Sequence, residues 1–304
     1  MSTPFLANLK TILPRAKITY ITQGAGKFVL ANNPRVDQIL DYAAVTPASL
    51  KRHEYAAAFI LRGDLRGSLL AYRAGIPVRF GITKEWNGIF HHVNRRFRRD
   101  VHLITQMNRL LTALDPPPLQ ERMEFFPNKQ SAARELIPKT PYVVICPGST
   151  RPEKQWPAES FVAWTARCLR QTAYTVVAVG NAAEAPLAAH IGRHLPHGSR
   201  YHNLAGRTDL NTLSYVLAGA AVMITNDTGP MHLAAATEGP RVIALFAYSN
   251  PKLTGLLAPR HTVISRYRPF AGGLLKHPAS RTAIRGIRVA EVWDAFNRFL
   301  PLTH

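Results

Sequence analysis

The chain has 304 residues, 46% hydrophobic and 18% charged, which is a globular composition and length enough for two domains at roughly 100–200 residues each. Its 38 Lys and Arg against 18 Asp and Glu give a formal charge of +20, a field that draws nucleic acid, an acidic membrane leaflet or phosphorylated substrates. No apolar run nears the ~18 residues of a membrane span, Met1–Thr22 shows no charged segment leading into an apolar one, and two cysteines (Cys146 and Cys168) make no disulfide framework, so a reducing cytoplasm is the default.

In chain order, short apolar runs alternate with helical patterns, the signature of a parallel α/β sheet. Ile18–Ile21 predicts a strand, Val36–Leu40 a short apolar–polar segment and Ala56–Leu61 a second strand. Leu65–Ala74 predicts a helix ending at Gly75, and Val101–Leu114 another with its apolar stripe at Leu103, Ile104, Met107, Leu110 and Leu111. Gly24-Ala25-Gly26 lacks the third glycine of a dinucleotide fingerprint and reads as a turn. Residues 115–141 hold six prolines and read as the end of one domain and a linker, with a short strand expected at Phe125–Phe126. This divides the chain into a domain over 1–135 and a second over 136–304.

A second series follows. Strands are predicted at Tyr142–Cys146, Tyr174–Val179, Ala221–Thr225 and Val242–Phe246. Helices are predicted at Ala158–Gln171, Ala183–Leu195, Leu210–Ala218 (with Thr208 and Asp209 as caps), Pro230–Thr237 and Val289–Leu300.

Two segments carry chemistry. In Val222–Phe246 a strand runs into Asn226-Asp227-Thr228-Gly229 and a helix starts at Pro230, which makes Gly229 the natural N-cap. The free N–H groups and positive end of that helix suit a diphosphate. Asp227 can accept hydrogen bonds from a sugar or ribose, and His232 lies in the first turn. In Tyr142–Phe161 a strand ends at Pro147-Gly148, and Ser149 and Thr150 place hydroxyls where open α/β sheets bind ligands. Lys154 follows as a cation able to neutralise a departing phosphate. The plain alternatives are a capped strand–turn–helix and a solvated loop with one exposed lysine. No Walker pattern, Asp-x-Asp pair or His/Cys cluster is present.

Together these segments resemble the donor half of glycosyltransferase family nine, the ADP-heptose:lipopolysaccharide heptosyltransferases. The family's Pro-Gly loop before Lys-x-Trp-Pro is matched by Pro147, Gly148, Ser149, Thr150, Lys154, Trp156 and Pro157, and its Asp-Ser/Thr-Gly-x-x-His run by Asp227, Thr228, Gly229 and His232. In the first half, Asn32–Asp37 and Leu61–Gly81 are similar to family turns. The resemblance, over roughly residues 4–265, implies a GT-B type α/β fold: two Rossmann-like domains facing across a cleft, with the last helix able to return to the first domain. It implies inverting, metal-independent transfer of a heptose or related sugar from an ADP-sugar to a lipopolysaccharide core. No cofactor is implied beyond the ADP-sugar co-substrate. Donor residues would be Ser149, Thr150, Lys154, Asp227, Thr228, Gly229 and His232, with Lys154 stabilising the leaving group.

The family also opens with a strand and Gly-Asp, the aspartate serving as general base. Met1–Leu6 matches the helix after it, so no residue here fills that role; Asp37, Asp41 and Asp64 are the nearest acids. Loss of a positioned base costs about 10²–10⁴-fold, and a chain starting at Met1 is expected to transfer weakly or not at all. Loss of that strand would also expose its neighbours' edges. An anionic glycolipid acceptor is expected at Arg62, Arg66, Arg95, Arg96, Arg98 and Arg99, with the protein peripheral at the cytoplasmic face of the inner membrane. The alternative is a weak or inactive relative that binds a nucleotide sugar or anionic glycolipid. A nucleic-acid partner would rest on charge alone and is not expected.

Overall fold

The computed structural model describes residues 1–84, 86–128, 133–269 and 282–300. Part of a basic stretch from Gly239 to Ala290, which holds nine Lys and Arg and no Asp or Glu, lies outside them at 270–281. The chain divides into two compact units, Met1–Phe126 and 127–304, where the sequence placed the division at 135/136.

The first unit runs α1 (Thr3–Ile12), β1 (Thr19–Thr22), α2 (Ala25–Leu30), β2 (Gln38–Asp41), α3 (Pro47–Lys51), β3 (Ala57–Ile60), α4 (Leu65–Arg73), β4 (Val78–Thr83), a 3₁₀ turn (Trp86–Phe90), β5 (Val93–Arg96), α5 (Leu103–Asn108) and a 3₁₀ turn (Leu111–Leu114). Its strands form two parallel sheets, β1-β2 and β3-β4-β5. The sheets share apolar cover on both faces. Phe5 of α1 packs edge-on to Phe59 of β3, with ring centroids 5.3 Å apart, and Tyr20 of β1 joins the same cluster. On the other face, Ile21 of β1 packs with Ile60 of β3 and Leu50 of α3. Strands β1 and β3 share a core, yet no ladder joins their sheets.

Several local expectations change. Gly24 is a turn residue, as read, with φ +55°, but it opens α2. The long helix over Val101–Leu114 is two pieces, α5 and the 3₁₀ turn Leu111–Leu114, although Arg109 and Leu110 between them keep right-handed helical backbone angles. Phe125–Phe126 forms no strand. The proline-rich stretch is no free linker up to residue 126. Buried Asn8 and Asn108 each donate to Gln120 O (2.9 Å each), Asn8 Oδ1 accepts from Gln120 N–H (3.0 Å), and Arg35 pairs with Glu124 at 2.6 Å. An irregular segment rich in proline has no ladder to satisfy its backbone, and these side chains do so instead.

The second unit runs α6 (Ala133–Leu136), β6 (Tyr142–Cys146), a 3₁₀ turn (Pro152–Lys154), α7 (Ala158–Gln171), β7 (Thr175–Ala178), α8 (Ala185–Arg193), β8 (Tyr201–Asn203), α9 (Leu210–Ala218), β9 (Val222–Asn226), α10 (Gly229–Ala236), β10 (Arg241–Phe246), α11 (Pro251–Thr254), β11 (Thr262–Ser265) and α12 (Val289–Asn297). Six parallel strands form one sheet in the order β11-β10-β9-β6-β7-β8. The four central strands are buried on both faces, as their near-continuous apolar runs require. Alternate residues such as Val143, Ile145 and Ile224 meet Phe161 and Trp164 of α7 and Ile191 of α8. Helix α12 closes that face, with Phe296 5.2 Å and Trp293 6.1 Å from the Trp164 ring. Its apolar face packs within the second unit, against α7. Arg266 at the end of β11 locks it further by bonding Glu291 at 2.5 and 2.7 Å, which holds that carboxyl near pKa 2.

Strand β10 begins on a titratable contact. Val242 N–H donates to His261 Nδ1 at 3.1 Å, so the ring must be neutral to accept it. Burial, with Arg260 adding to it, pulls the His261 pKa from 6.5 to about 4. The folded state resists the proton that the unfolded chain accepts. This contribution is therefore complete above pH 6.5 and is lost as pH falls from 6.5 toward 4. An His261→Asn variant, whose Oδ1 can take the same N–H without titrating, is expected to show a shallower fall in Tm across that window by scanning calorimetry. An unchanged slope would refute the assignment.

Candidate functional site

The two chemistry-bearing segments follow neighbouring strands, β6 and β9, and so reach one carboxyl edge of the second sheet. A single side chain holds them together. Asn226, the last residue of β9, is fully buried. Its Nδ2 donates to Pro147 O (2.8 Å) and Gly148 O (3.1 Å), and its Oδ1 accepts from Trp156 N–H (3.0 Å). Trp156, itself buried, donates its indole N–H to Ile287 O at 2.8 Å. The loop between β6 and α7 is thus pinned at both ends while Ser149, Thr150 and Lys154 lie between the pins.

The structure joins Lys154 and Asp227 in an ion pair at 2.6 Å, with the carboxylate side chain only 8% exposed. The N-cap of α10 is Thr228 rather than Gly229, because Thr228 holds the extended conformation (φ −141°, ψ 171°) and Gly229 is already helical. The Thr228 side chain does not cap the helix; its hydroxyl lies near Cys146 Sγ (3.9 Å), Thr225 Oγ1 (3.4 Å) and Asn226 O (3.3 Å). A Cβ built on Gly229 would meet no heavy atom within 4 Å. The positive end of α10 therefore opens onto free space. Half-buried His232 lies in its first turn, and Ser149 Oγ accepts from Arg151 N–H at 3.3 Å.

Three residues at this edge were not picked out as site residues in the sequence. Asn226 was quoted only as part of the turn, and its burial is a tertiary fact. Glu184 folds across Gly148 and Gly180, so close that a Cβ on Gly148 would fall 2.2 Å from its carboxyl carbon. Its carboxylate accepts from Asn181 N–H at 2.8 Å, a reciprocal cap legible as Asn-x-x-Glu. Arg151 reaches the Tyr248 hydroxyl at 3.3 Å after β10. Among the described residues, no three His, Cys, Asp or Glu side chains converge as metal ligands would.

In the first unit, the basic candidates lie at or just after the carboxyl ends of β3 and β5. They are not equivalent. Arg95 is half-buried and donates to Arg109 O (3.1 Å) and Thr112 Oγ1 (3.0 Å). Arg98 pairs with Asp100 at 2.7 Å, and Arg66 stacks 4.4 Å over the Tyr42 ring. Arg62, Arg66, Arg96, Arg98 and Arg99 are exposed. The three acidic candidates are all engaged: Asp37 accepts from Ile18 N–H (2.7 Å), Asp41 pairs with Lys27, and Asp64 caps α4 through Gly67 N–H (2.7 Å).

Removing the Asn226 clamp strands two carbonyls and one N–H in a buried place. Asn226→Ala is expected to lower unfolding free energy by on the order of 3 kcal/mol in urea titration. A loss under about 1 kcal/mol would show that the clamp is dispensable.

The chain is similar to lipooligosaccharide heptosyltransferase 2 of Haemophilus influenzae, 28% identical over 291 residues that cover 90% of this chain and 79% of the relative. It is 29% identical to lipopolysaccharide heptosyltransferase 2 of Escherichia coli, over 71% of this chain and 66% of that one. Its fold matches the structure of E. coli ADP-heptose lipopolysaccharide heptosyltransferase II with a TM-score of 0.78 at 22% identity, covering 98% of this chain and 93% of the other. A family 9 glycosyltransferase from Veillonella parvula matches with a TM-score of 0.79 at 21% identity, over 98% and 92%. The α/β fold is thus of the GT-B type. The family model described as "Glycosyltransferase family 9 (heptosyltransferase)" matches residues 47–271, and the chain belongs to that family of glycosyltransferases.

Proposed function

We propose that this glycosyltransferase moves a heptose from ADP-heptose to the core of a lipopolysaccharide, with inversion and without a metal ion. The observation that carries this reading is the uncapped start of α10 beside the Lys154–Asp227 pair. In the transfer, an acceptor hydroxyl forms a new bond to the anomeric carbon from the face opposite the donor's diphosphate. The anomeric C–O bond breaks, its electron pair leaves on ADP, and the acceptor hydroxyl gives up its proton to solvent. The charge that develops on the diphosphate is met by the N–H groups at the Gly229 turn and by the Lys154 ammonium. These fixed dipoles supply without a metal the positive charge the leaving group needs.

Asp227 holds Lys154 in place and offers its other lone pairs to donor hydroxyls. Ser149 and Thr150 line the neighbouring strand end, with Ser149 Oγ able to donate its own proton to a phosphate oxygen. The similar relatives are named for the same transfer to lipopolysaccharide or lipooligosaccharide, which supports the choice of sugar and acceptor. A solved relative of the same fold, E. coli heptosyltransferase WaaC, holds ADP, which supports the choice of nucleotide. On this reading the acceptor's phosphates and carboxylates meet the exposed arginines Arg62, Arg66, Arg96, Arg98 and Arg99, in bidentate pairs where geometry allows. Arg95, tied to Arg109 O and Thr112, supports the strand rather than the ligand.

Titration calorimetry tests the donor site directly. ADP is expected to bind more tightly than UDP or GDP, and Lys154→Ala is expected to weaken ADP by about 10–100-fold, the worth of one charge-assisted contact. Preference for UDP or GDP, or an unchanged ADP affinity in the variant, would refute the assignment.

A further inference from the structure

The 3₁₀ turn Trp86–Phe90 has its polarity inverted. Its polar member, Asn87, is buried, and its apolar members Trp86 and Ile89 stand 84% and 77% exposed. They are the most exposed large apolar side chains among the described residues. The exposure is built in rather than the result of a loose loop. Asn87 Nδ2 donates to Ile82 O (3.0 Å), and its Oδ1 accepts from Lys84 N–H (3.1 Å). Asn94 Nδ2 donates to Gly88 O (3.1 Å), and Arg79 Nε donates to Phe90 O (2.6 Å). The turn also rests on α4 through Ser68, whose Oγ lies 3.3 Å from Asn87 Nδ2 and 2.9 Å from His91 Nε2. On α4, Leu65 and Tyr72 are exposed as well, with Tyr72 packed 5.3 Å from the Phe90 ring.

Beside this apolar turn lies a mostly basic edge. Arg62, Arg66, Lys84 and Arg96 are exposed and follow or end the parallel strands β3, β4 and β5, at whose carboxyl side the turn begins. From Arg62 to Arg99 the sequence holds nine Lys and Arg against Asp64 and Glu85. A fixed Trp and Ile beside cations is the chemistry of an interfacial anchor: the indole and the aliphatic chain enter the headgroup boundary and the cations meet lipid phosphates. A second copy of the chain fits less well, because a self-complementary contact there would set two basic edges against each other.

We propose that Trp86 and Ile89, with Leu65 and Tyr72, dock this protein on an anionic bilayer. The proposal rests on the reading above of a lipid-borne acceptor, and its partner is the membrane surface. The tryptophans make it testable. Of the four, Trp156, Trp164 and Trp293 are buried in the second unit and Trp86 alone is exposed. Vesicles of phosphatidylglycerol and brominated phosphatidylcholine are expected to quench and blue-shift only Trp86. Trp86→Phe should erase that signal while binding, read by co-sedimentation, stays within about two-fold. The pair Trp86→Ser and Ile89→Ser should weaken co-sedimentation about ten-fold or more at physiological salt, with circular dichroism and ADP affinity unchanged.

Absence of quenching, or vesicle binding within two-fold in the double Ser variant, would overturn the proposal. So would a concentration-dependent dimer that the double Ser variant abolishes, which would make the stripe a contact between copies. The transferase reading is separated by its substrate. Transfer to a lipid-free core oligosaccharide should be the same in the double variant, and transfer to vesicle-borne acceptor should fall. Vesicle quenching without any transfer would leave the docking element standing and remove the enzyme reading.

Discussion

The side-chain amide of Asn226 is the constraint on which the second unit's active edge depends. It is fully buried and bonds to Pro147 at the start of the loop after β6, to the glycine beside it and to Trp156 just ahead of α7. The amide carries two N–H donors and a carbonyl acceptor, so it satisfies two carbonyls and an N–H together. Without it, the loop after β6 would carry unpaired backbone groups into a buried place, at a cost comparable to a large share of a domain's net stability. Because the clamp spans β6 and β9, it also fixes the distance between the loop that bears Lys154 and the turn that bears Asp227.

The electrostatics follow from that fixed distance. Lys154 and Asp227 meet at 2.6 Å in a half-buried setting, where an ion pair is governed as much by the loss of water as by attraction. The pair orients the ammonium before any ligand arrives, so no side-chain order has to be created when a diphosphate binds. Helix α10 adds its N–H groups at the same edge, and Gly229 keeps that end open. Cys146 sits beneath, buried, its thiol pushed up to about 12 by burial and by the Glu184 carboxylate, and is chemically inert there.

The first unit solves a different problem. Its arginines are sorted by the alternation along β5: Arg95 is half-buried and donates to Arg109 O and Thr112 Oγ1, and Arg96, one residue on, is exposed. The same unit uses buried Asn87 to pin the backbone of a turn whose apolar side chains stand outward. The proline-rich stretch likewise draws on Asn8 and Asn108 to pack against α1 and α5. Among the described residues no helix is long and apolar enough to cross a membrane.

The sequence by itself determined what depends on neighbours along the chain. Strand β6 and helices α7 and α9 fall on their expected residues, because continuous apolar runs, helical spacing and the Asp209 cap are local signals. So are the two motifs that place Lys154 and Asp227 after strands. What it missed are short elements without their own pattern. Strands β4 and β5 are six and four residues long with arginines in them, and β8 and β11 are edge strands of three and four. These become strands only because a neighbouring strand offers a ladder, which is a non-local fact. The tertiary structure alone decided that Lys154 and Asp227 are paired, that Thr228 and not Gly229 caps α10, that α12 spends its aromatic face on Trp164, and that Asn87 is inside while Trp86 is outside. Each of these is settled by which groups, distant in sequence, compete for the same buried space and hydrogen bonds, and a one-dimensional pattern does not record that competition.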